Sequence, residues 1–287
     1  MRIDLHTHSW VSDGSDAPAE VVRLAATAGL DVVALTDHDT VESWPEAIEA
    51  AQLHGITLVT GAEISTRSQG GHSIHLLGYL FDPAEPTLAA ELEQIRTDRV
   101  PRLQRMLDGV RAMGSQVTWD DVVSRAGPAV AVGRPHLADA LVAAGEAASR
   151  EDAFNRWIGV GGPAYVPKRA PSTIDAIRLV RGAGGVPVIA HPWSRGRTDS
   201  MSPDDIAALV EVGLAGLEVD HVDHDEVSRS QLRAIAADLG IVTTGSSDYH
   251  GTGKSAAYAL GACTTSDAVY AAIVAQATGG SPVTKGR

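Results

Sequence analysis

The sequence predicts an α/β barrel, and three observations predict it. Short apolar runs alternate with helical patterns along most of the chain, with short glycine-containing joins between them. That alternation is the signature of parallel strands linked by right-handed helical crossovers. A histidine or a carboxylate follows nearly every apolar run, and polar side chains gathered at the carboxyl ends of successive strands are what a metal site on such a barrel requires. Finally, 287 residues at 44% hydrophobic content can fill one large barrel or two ordinary domains, and 4% aromatic content makes the core one of Ala, Val, Leu and Ile.

The elements follow in order. The first strand runs into Asp4-Leu5-His6-Thr7-His8-Ser9, closed by Asp13-Gly14. Side chains alternate along a strand, so His6 and His8 share a face and can grip one ion; taken alone, such a pair reads equally well as surface or core histidine. Ser15-Asp16-Ala17-Pro18 offers a cap and a first-turn proline for a helix over Ala19–Ala28, stopped by Gly29. Asp31–Leu35 is a buried parallel strand leading into Thr36-Asp37-His38-Asp39. A helix over Glu46–His54 ends at Gly55, where His54 suits the negative end of the helix dipole, and Ile56–Thr60 is the third strand, before Gly61-Ala62-Glu63. Gly70-Gly71-His72 then turns into a fourth strand around Ile74-His75-Leu76-Leu77, where His72 and His75 compete as ligands.

From about Asp82 to Ala170 the strand rhythm stops. Helical patterns occupy Leu88–Met113, a segment opened by the capping box Thr118-Trp119-Asp120-Asp121, Pro135–Ala144 and Glu151–Ile158. Residues 83–170 are therefore expected to be a helical insertion, a candidate substrate cap, within a barrel built from 1–82 and 171–287. A second capping box at Ser172-Thr173-Ile174-Asp175 resumes the barrel with a helix to Gly182, then Val186–Ala190 before His191-Pro192. Ser202-Pro203 opens a helix, Gly216–Val219 is a strand before His221, Glu226–Leu239 a helix, and Ile241–Thr244 a strand before Ser247-Asp248-Tyr249-His250. That makes seven strands; a terminal helix follows Ala268, and the Gly279-Gly280-Ser281 tail is expected to fray.

Charge and composition exclude several functions. With 23 basic and 36 acidic residues the formal charge is -13, which opposes a long duplex nucleic acid held on a broad cationic surface, but not a small phosphate ester held by metal ions. The single Cys263 excludes an internal disulfide and a thiolate cluster, leaving nitrogen and oxygen ligands and a cytoplasmic setting as the expectation. No signal-like or membrane-spanning apolar run is present, and nothing in the sequence sets an oligomeric state.

His6-Thr7-His8 with Asp13-Gly14, Thr36-Asp37-His38-Asp39, Gly61-Ala62-Glu63, His75 before Leu76-Leu77-Gly78-Tyr79, His191-Pro192 and Ser247-Asp248-Tyr249-His250 together resemble the polymerase and histidinol phosphatase (PHP) superfamily. Gly133-Arg134-Pro135-His136 and Ala164-Tyr165-Val166-Pro167-Lys168 resemble its stand-alone branch of nucleoside 3',5'-bisphosphate phosphatases, AMP phosphatases and 5'-to-3' exoribonucleases. The resemblance implies a distorted seven-stranded (β/α)7 TIM-like barrel with an inserted helical cap, binding two or three divalent or transition metal ions (Mn, Zn or Fe). One ion would take His6, His8, Glu63 and Asp248, a second Glu63, His75 and His191, and a third Asp13, His38 and His250. Glu63, Asp248 and His191 would carry the chemistry, hydrolysis of a phosphate monoester by a water that the ions activate. Arg134, His136 and Lys168 would hold the substrate, a small nucleotide, and His221, next to the end of the sixth strand, reads equally as lining the leaving-group pocket or as a rim residue. Asp37 is read as orienting an imidazole, and Trp193 as either a base-stacking or a packing residue. A histidinol-phosphate phosphatase, an exoribonuclease acting on short RNA and a non-catalytic metal-bearing module stay open as alternatives.

Overall fold

Seven strands lie side by side in the order in which the chain makes them: β1 (Ile3–Asp4), β2 (Val32–Leu35), β3 (Thr57–Arg67), β4 (Ser73–Tyr79), β5 (Val186–Ala190), β6 (Gly216–Asp220) and β7 (Val242–Gly245). The structure is a computed structural model describing residues 1–126 and 132–283. Thr7, just past β1, forms a parallel bridge with Tyr249, just past β7, and the His8 N–H donates to the Tyr249 carbonyl at 2.8 Å, so the sheet comes close to closing on itself. This is the distorted seven-stranded TIM-like barrel expected from the sequence. The helices are α1 (Pro18–Thr27), α2 (Trp44–His54), α3 (Pro86–Ala112), α4 (Trp119–Ala126), α5 (Arg134–Ala143), α6 (Arg150–Ala153), α7 (Thr173–Gly182), α8 (Pro203–Glu211), α9 (Glu226–Leu239) and α10 (Asp267–Gln276).

The expectation of an all-parallel sheet fails at β4, which runs antiparallel to both neighbours, pairing Gly61↔Tyr79 through Arg67↔Ser73 with β3 and His75↔Ala190 through Tyr79↔Val186 with β5. Only residues 68–72 separate β3 from β4, too few for the crossover of a dozen or more residues that parallel neighbours need. Gly71, at φ 79°, makes the turn that a side chain would strain. Pairing with β4 also extends β3 to Arg67, beyond the expected end at Thr60, so Glu63 lies inside the strand.

Smaller expectations are corrected as well. Pro18 opens α1 as expected, but the N-cap position is Ala17; Asp16 accepts the Tyr249 hydroxyl at 2.8 Å, and the first-turn Ala19 N–H donates to Glu46 Oε1 at 3.0 Å instead. The expected helix over Glu151–Ile158 is α6 followed by a π-helical turn, in which the Gly159 N–H reaches the Phe154 carbonyl at 2.8 Å. The glycine tail is tied down: Thr278 and Gly279 N–H groups donate to the Gly184 carbonyl, and Val283 exchanges two backbone hydrogen bonds with Leu58.

Chain contacts divide the molecule into two units, 1–92 with 170–287 and 93–169. In the barrel unit, Ile3, Leu5, Val32, Ala34, Val59, Leu77, Tyr79, Val186 and Val188 form one buried cluster, and α1 and α2 cover β2 through Val21, Val22, Ala25, Ala47 and Ala51. The helical unit has its own core of Leu103, Met106, Leu107, Val110, Val122, Leu137, Leu141 and Ile158. Among the described residues no helix is long and apolar enough to cross a membrane.

Candidate metal centre

All nine candidate ligands lie in the barrel unit, Glu63 inside β3 and the others near strand ends or in the loops that leave them. His6 and His8 leave β1, His38 leaves β2, His191 leaves β5, and Asp248 and His250 leave β7. His75 sits near the start of β4, but because β4 is reversed it arrives at the same barrel end as the others. His72 remains exposed on the turn.

The side chains fall into overlapping groups. Nε2 of His6 and Nε2 of His8 are 3.0 Å apart, and each faces Glu63 Oε2, at 3.2 and 3.1 Å, and Asp248 Oδ1, at 3.5 and 3.4 Å. Glu63 turns its other oxygen away: Oε1 meets His75 Nδ1 at 2.8 Å and His191 Nε2 at 3.0 Å. Asp13 faces His250 Nε2 at 3.2 Å and His38 Nε2 at 3.6 Å, with His8 Nδ1 at 3.8 Å. His38 Nδ1 is buried 3.1 Å from Glu63 Oε2, yet makes no hydrogen bond. An imidazole nitrogen held this close without donating is in the position of a ligand atom on the Glu63 side, while the opposite nitrogen, Nε2, faces the Asp13 group. Nitrogen and carboxylate oxygen in groups of three or four suit zinc, manganese or iron.

The electrostatics favour a bound cation. Burial works against the charged forms of Glu63 and Asp248, but the surrounding imidazoles hold both carboxyls well below their usual range. Burial likewise opposes protonation of His6 and His8, yet the facing carboxylates raise His6 well above its ordinary value and His8 to about 9. His38, whose burial prevails, is pushed down to about 3. Glu63, at 1% exposure, is thus an anion with no solvent to stabilise it, compensated only by what the imidazoles hold. His191 at φ 27° and Asp248 at φ 53° adopt left-handed backbone, strain of the kind that collects at functional sites.

Neighbouring residues that sequence reasoning passed over support these groups. Glu218, within β6, hydrogen-bonds His6 Nδ1 at 3.1 Å and accepts the His191 N–H at 2.9 Å. Its signal in the sequence was an acid enclosed by Leu217 and Val219 in a buried strand. Lys254 ion-pairs with Asp248 and lies 4.6 Å from the Tyr258 ring centre. Asp37 corrects its sequence reading: it touches no imidazole and instead accepts the Ser9 N–H and the Ser9 and Ser12 hydroxyls, at 2.7 to 2.8 Å, shaping the loop that carries His8. Trp193 is buried and donates to the Met201 carbonyl at 2.9 Å, which is the packing alternative.

The expected substrate residues are placed as follows. His221 is wholly buried, its Nδ1 accepting the Asp223 N–H at 3.1 Å and its Nε2 lying 3.3 Å from Asp248 Oδ2. In the helical unit, Arg134 opens α5, with its guanidinium 5.4 Å from the Phe154 ring centre and 5.8 Å from that of Tyr165. Arg102, unforeseen from the sequence, lies 5.9 Å from the same Tyr165 ring and donates to the Val166 carbonyl at 2.8 Å. Burial and the Arg134 charge push Arg102 down to about 10, and neither guanidinium hydrogen-bonds a carboxylate among the described residues. His136 Nδ1 accepts the Gly133 N–H at 2.9 Å, and Lys168 is half-buried in the irregular stretch after Tyr165.

Comparison with known proteins agrees with this geometry. Residues 4–98 match the PHP domain. The chain is 36% identical over 255 residues, 88% of each chain, to a 3',5'-nucleoside bisphosphate phosphatase of Chromobacterium violaceum. It is 33% identical to a 5'-3' exoribonuclease of Haemophilus influenzae, over 87% of this chain and 90% of that one. A crystal structure from Bifidobacterium adolescentis, classed as a metal-dependent phosphoesterase, superposes with a TM-score of 0.86 at 36% identity over 96% of both chains. With its barrel, its clustered imidazoles and carboxylates and these relatives, the chain belongs to the PHP family of metal-dependent phosphoesterases.

Proposed function

We propose that this phosphoesterase removes a phosphate monoester from a small nucleotide, a nucleoside 3',5'-bisphosphate or a 5'-mononucleotide such as AMP, using two or three ions of manganese, zinc or iron. The observation that carries the reading is Glu63, whose Oε2 faces His6 and His8 while its Oε1 faces His75 and His191. A carboxylate divided in this way suits a bridge between two cations. Ions held there would supply Lewis acidity and would ease deprotonation of water, so that a nucleophile for phosphorus is available near neutral pH.

The chain's own residues do the rest. His6, His8, Glu63 and Asp248 form one cradle, Glu63, His75 and His191 a second, and Asp13, His38 and His250 a third. His221 and Lys254 restrain Asp248, so its Oδ1 stays turned toward His6 and His8. Arg134 and Arg102, sharing Tyr165 and making no hydrogen bond to a carboxylate among the described residues, have the chemistry of a phosphate grip, since guanidinium binds phosphate oxygens in pairs. We assign Lys168 and His136 to the same task of holding substrate, whereas His221, expected to share it, is wholly buried with both ring nitrogens engaged and serves Asp248 instead. The nucleotide choice is supported by the Chromobacterium violaceum relative, and a second reading, 5'-to-3' cleavage of short RNA, by the Haemophilus influenzae one. The single Cys263 suits action in a reducing cytoplasm.

Phosphate release from a panel of adenosine 3',5'-bisphosphate, AMP, histidinol phosphate and short 5'-phosphorylated RNA, with added manganese, tests the assignment. Fastest turnover of the bisphosphate or AMP supports it. Preference for histidinol phosphate would sink the nucleotide reading, and no turnover of any ester would leave a binding module.

A further inference from the structure

Glu218 is a fully buried carboxylate at the middle of β6, between Leu217 and Val219, which are also wholly buried. Burying an anion there costs free energy that only close donors offset. Two are present. His6 Nδ1 lies 3.1 Å from Oε1, and the His191 backbone N–H donates to Oε2 at 2.9 Å. Both donors belong to candidate ligands, one leaving β1 and the other β5.

Glu218 lies near enough to His6 and His191 to be mistaken for a ligand itself. The ring orientation argues otherwise. His6 gives Nδ1 to Glu218 and turns Nε2 toward His8 Nε2, Glu63 Oε2 and Asp248 Oδ1. One ring nitrogen therefore serves the carboxylate, and the opposite one serves the centre. The second contact is to backbone: His191 holds φ 27°, a conformation that a non-glycine residue keeps only when its surroundings enforce it, and its N–H is fixed on Glu218.

We propose that Glu218 is the positioning residue of this centre, a single carboxylate that fixes His6 as the Nδ1–H tautomer, freeing Nε2 to bind an ion, and pins the left-handed backbone from which His191 reaches Glu63. The inference rests on the metal-binding reading above. It makes a chemical distinction between charge and shape. In Glu218→Gln the amide offers one acceptor and one NH2 group where two donors meet one carboxylate. If the NH2 faces His6, the ring moves its proton to Nε2 and can no longer ligate; if it faces His191, it opposes the backbone N–H.

The test uses the full chain stripped of metal and titrated with manganese, the free ion being read by electron paramagnetic resonance. E218Q should keep the wild-type circular dichroism and lose about 10–100-fold in manganese affinity, the usual effect of removing a partner of a ligating histidine. Glu218→Asp, which keeps the charge, should recover part of that loss. An E218Q protein that is folded and whose isotherm superposes on the wild type overturns the proposal while leaving the metal-binding reading intact; a wild-type chain that takes up no metal overturns both. Should E218Q not fold, nitrogen-15 spectra of the wild-type imidazoles with zinc bound decide. His6 protonated at Nδ1 and zinc-bound through Nε2 supports the role, and zinc bound through Nδ1 rejects it.

Discussion

At the scale of single residues, Glu63 and Arg134 separate chemistry from recognition. Glu63→Gln keeps the volume but removes the anion that faces five imidazoles at 2.8 to 3.2 Å. It should abolish phosphate release and lower metal content, as elemental analysis and a phosphate assay would show together. Arg134→Ala should keep its metal and lose about 2–5 kcal/mol of transition-state stabilisation, the range for truncating a buried charged partner, read as kcat/KM against the best substrate. Wild-type kinetics in that variant would remove the phosphate grip from this residue. Most of the nine candidate ligands stood out because a histidine or carboxylate follows nearly every apolar run, as His191 follows Val188-Ile189-Ala190, and the family resemblance supplied the rest, such as Asp13. Glu218 and Arg102 were not: an acid inside a strand and an arginine on a charged helix gain meaning only from what packs against them.

At the scale of elements, the reversal of β4 decides where the centre forms. The sequence shows a strand and a glycine turn at 70–72, but only the turn's length against the reach of a crossover gives the direction. Tyr79, the last residue of β4, sends its hydroxyl to the carbonyl of Leu5 at 3.0 Å, one residue before His6. Both residues are wholly buried, so Tyr79→Phe removes a donor that water cannot replace. A loss of about 1–3 kcal/mol in unfolding free energy is expected, measured by urea denaturation of the metal-free protein. An unchanged midpoint would mean that the Leu5 carbonyl finds another partner.

At the scale of the molecule, the candidate ligands come from β3 and β4 and from the segments after β1, β2, β5 and β7, so each ion would tie together chain segments far apart in sequence. An ion that binds only the folded chain stabilises it by about 2.7 kcal/mol at a hundredfold excess over its dissociation constant. Chelation should therefore lower the melting temperature by several degrees, and manganese should restore it; a midpoint indifferent to both would contradict a multinuclear centre. The formal charge of -13 acts on the substrate side. Mononucleotides should be turned over much faster than long duplexes, whose binding needs an extended cationic track, and processive decay of long RNA on a gel would refute this. The barrel was legible from alternation of strand and helix, whereas the tied tail and the start of α1 depend on partners distant in the chain, Leu58, Tyr249 and Glu46.

The β3–β4 hairpin also bears on the order in which the chain acquires its structure. Glu63 and His75 meet across adjacent strands only twelve positions apart, whereas His6 must wait for Glu218, 212 positions away. Short loops close in well under a microsecond and hairpins within microseconds, while pairings of large sequence separation come last. A refolding chain should thus form the Glu63–His75 pair while β1 and β7 are still apart, so that metal ions present from the start could bind a half-built centre and either nucleate the barrel or trap it.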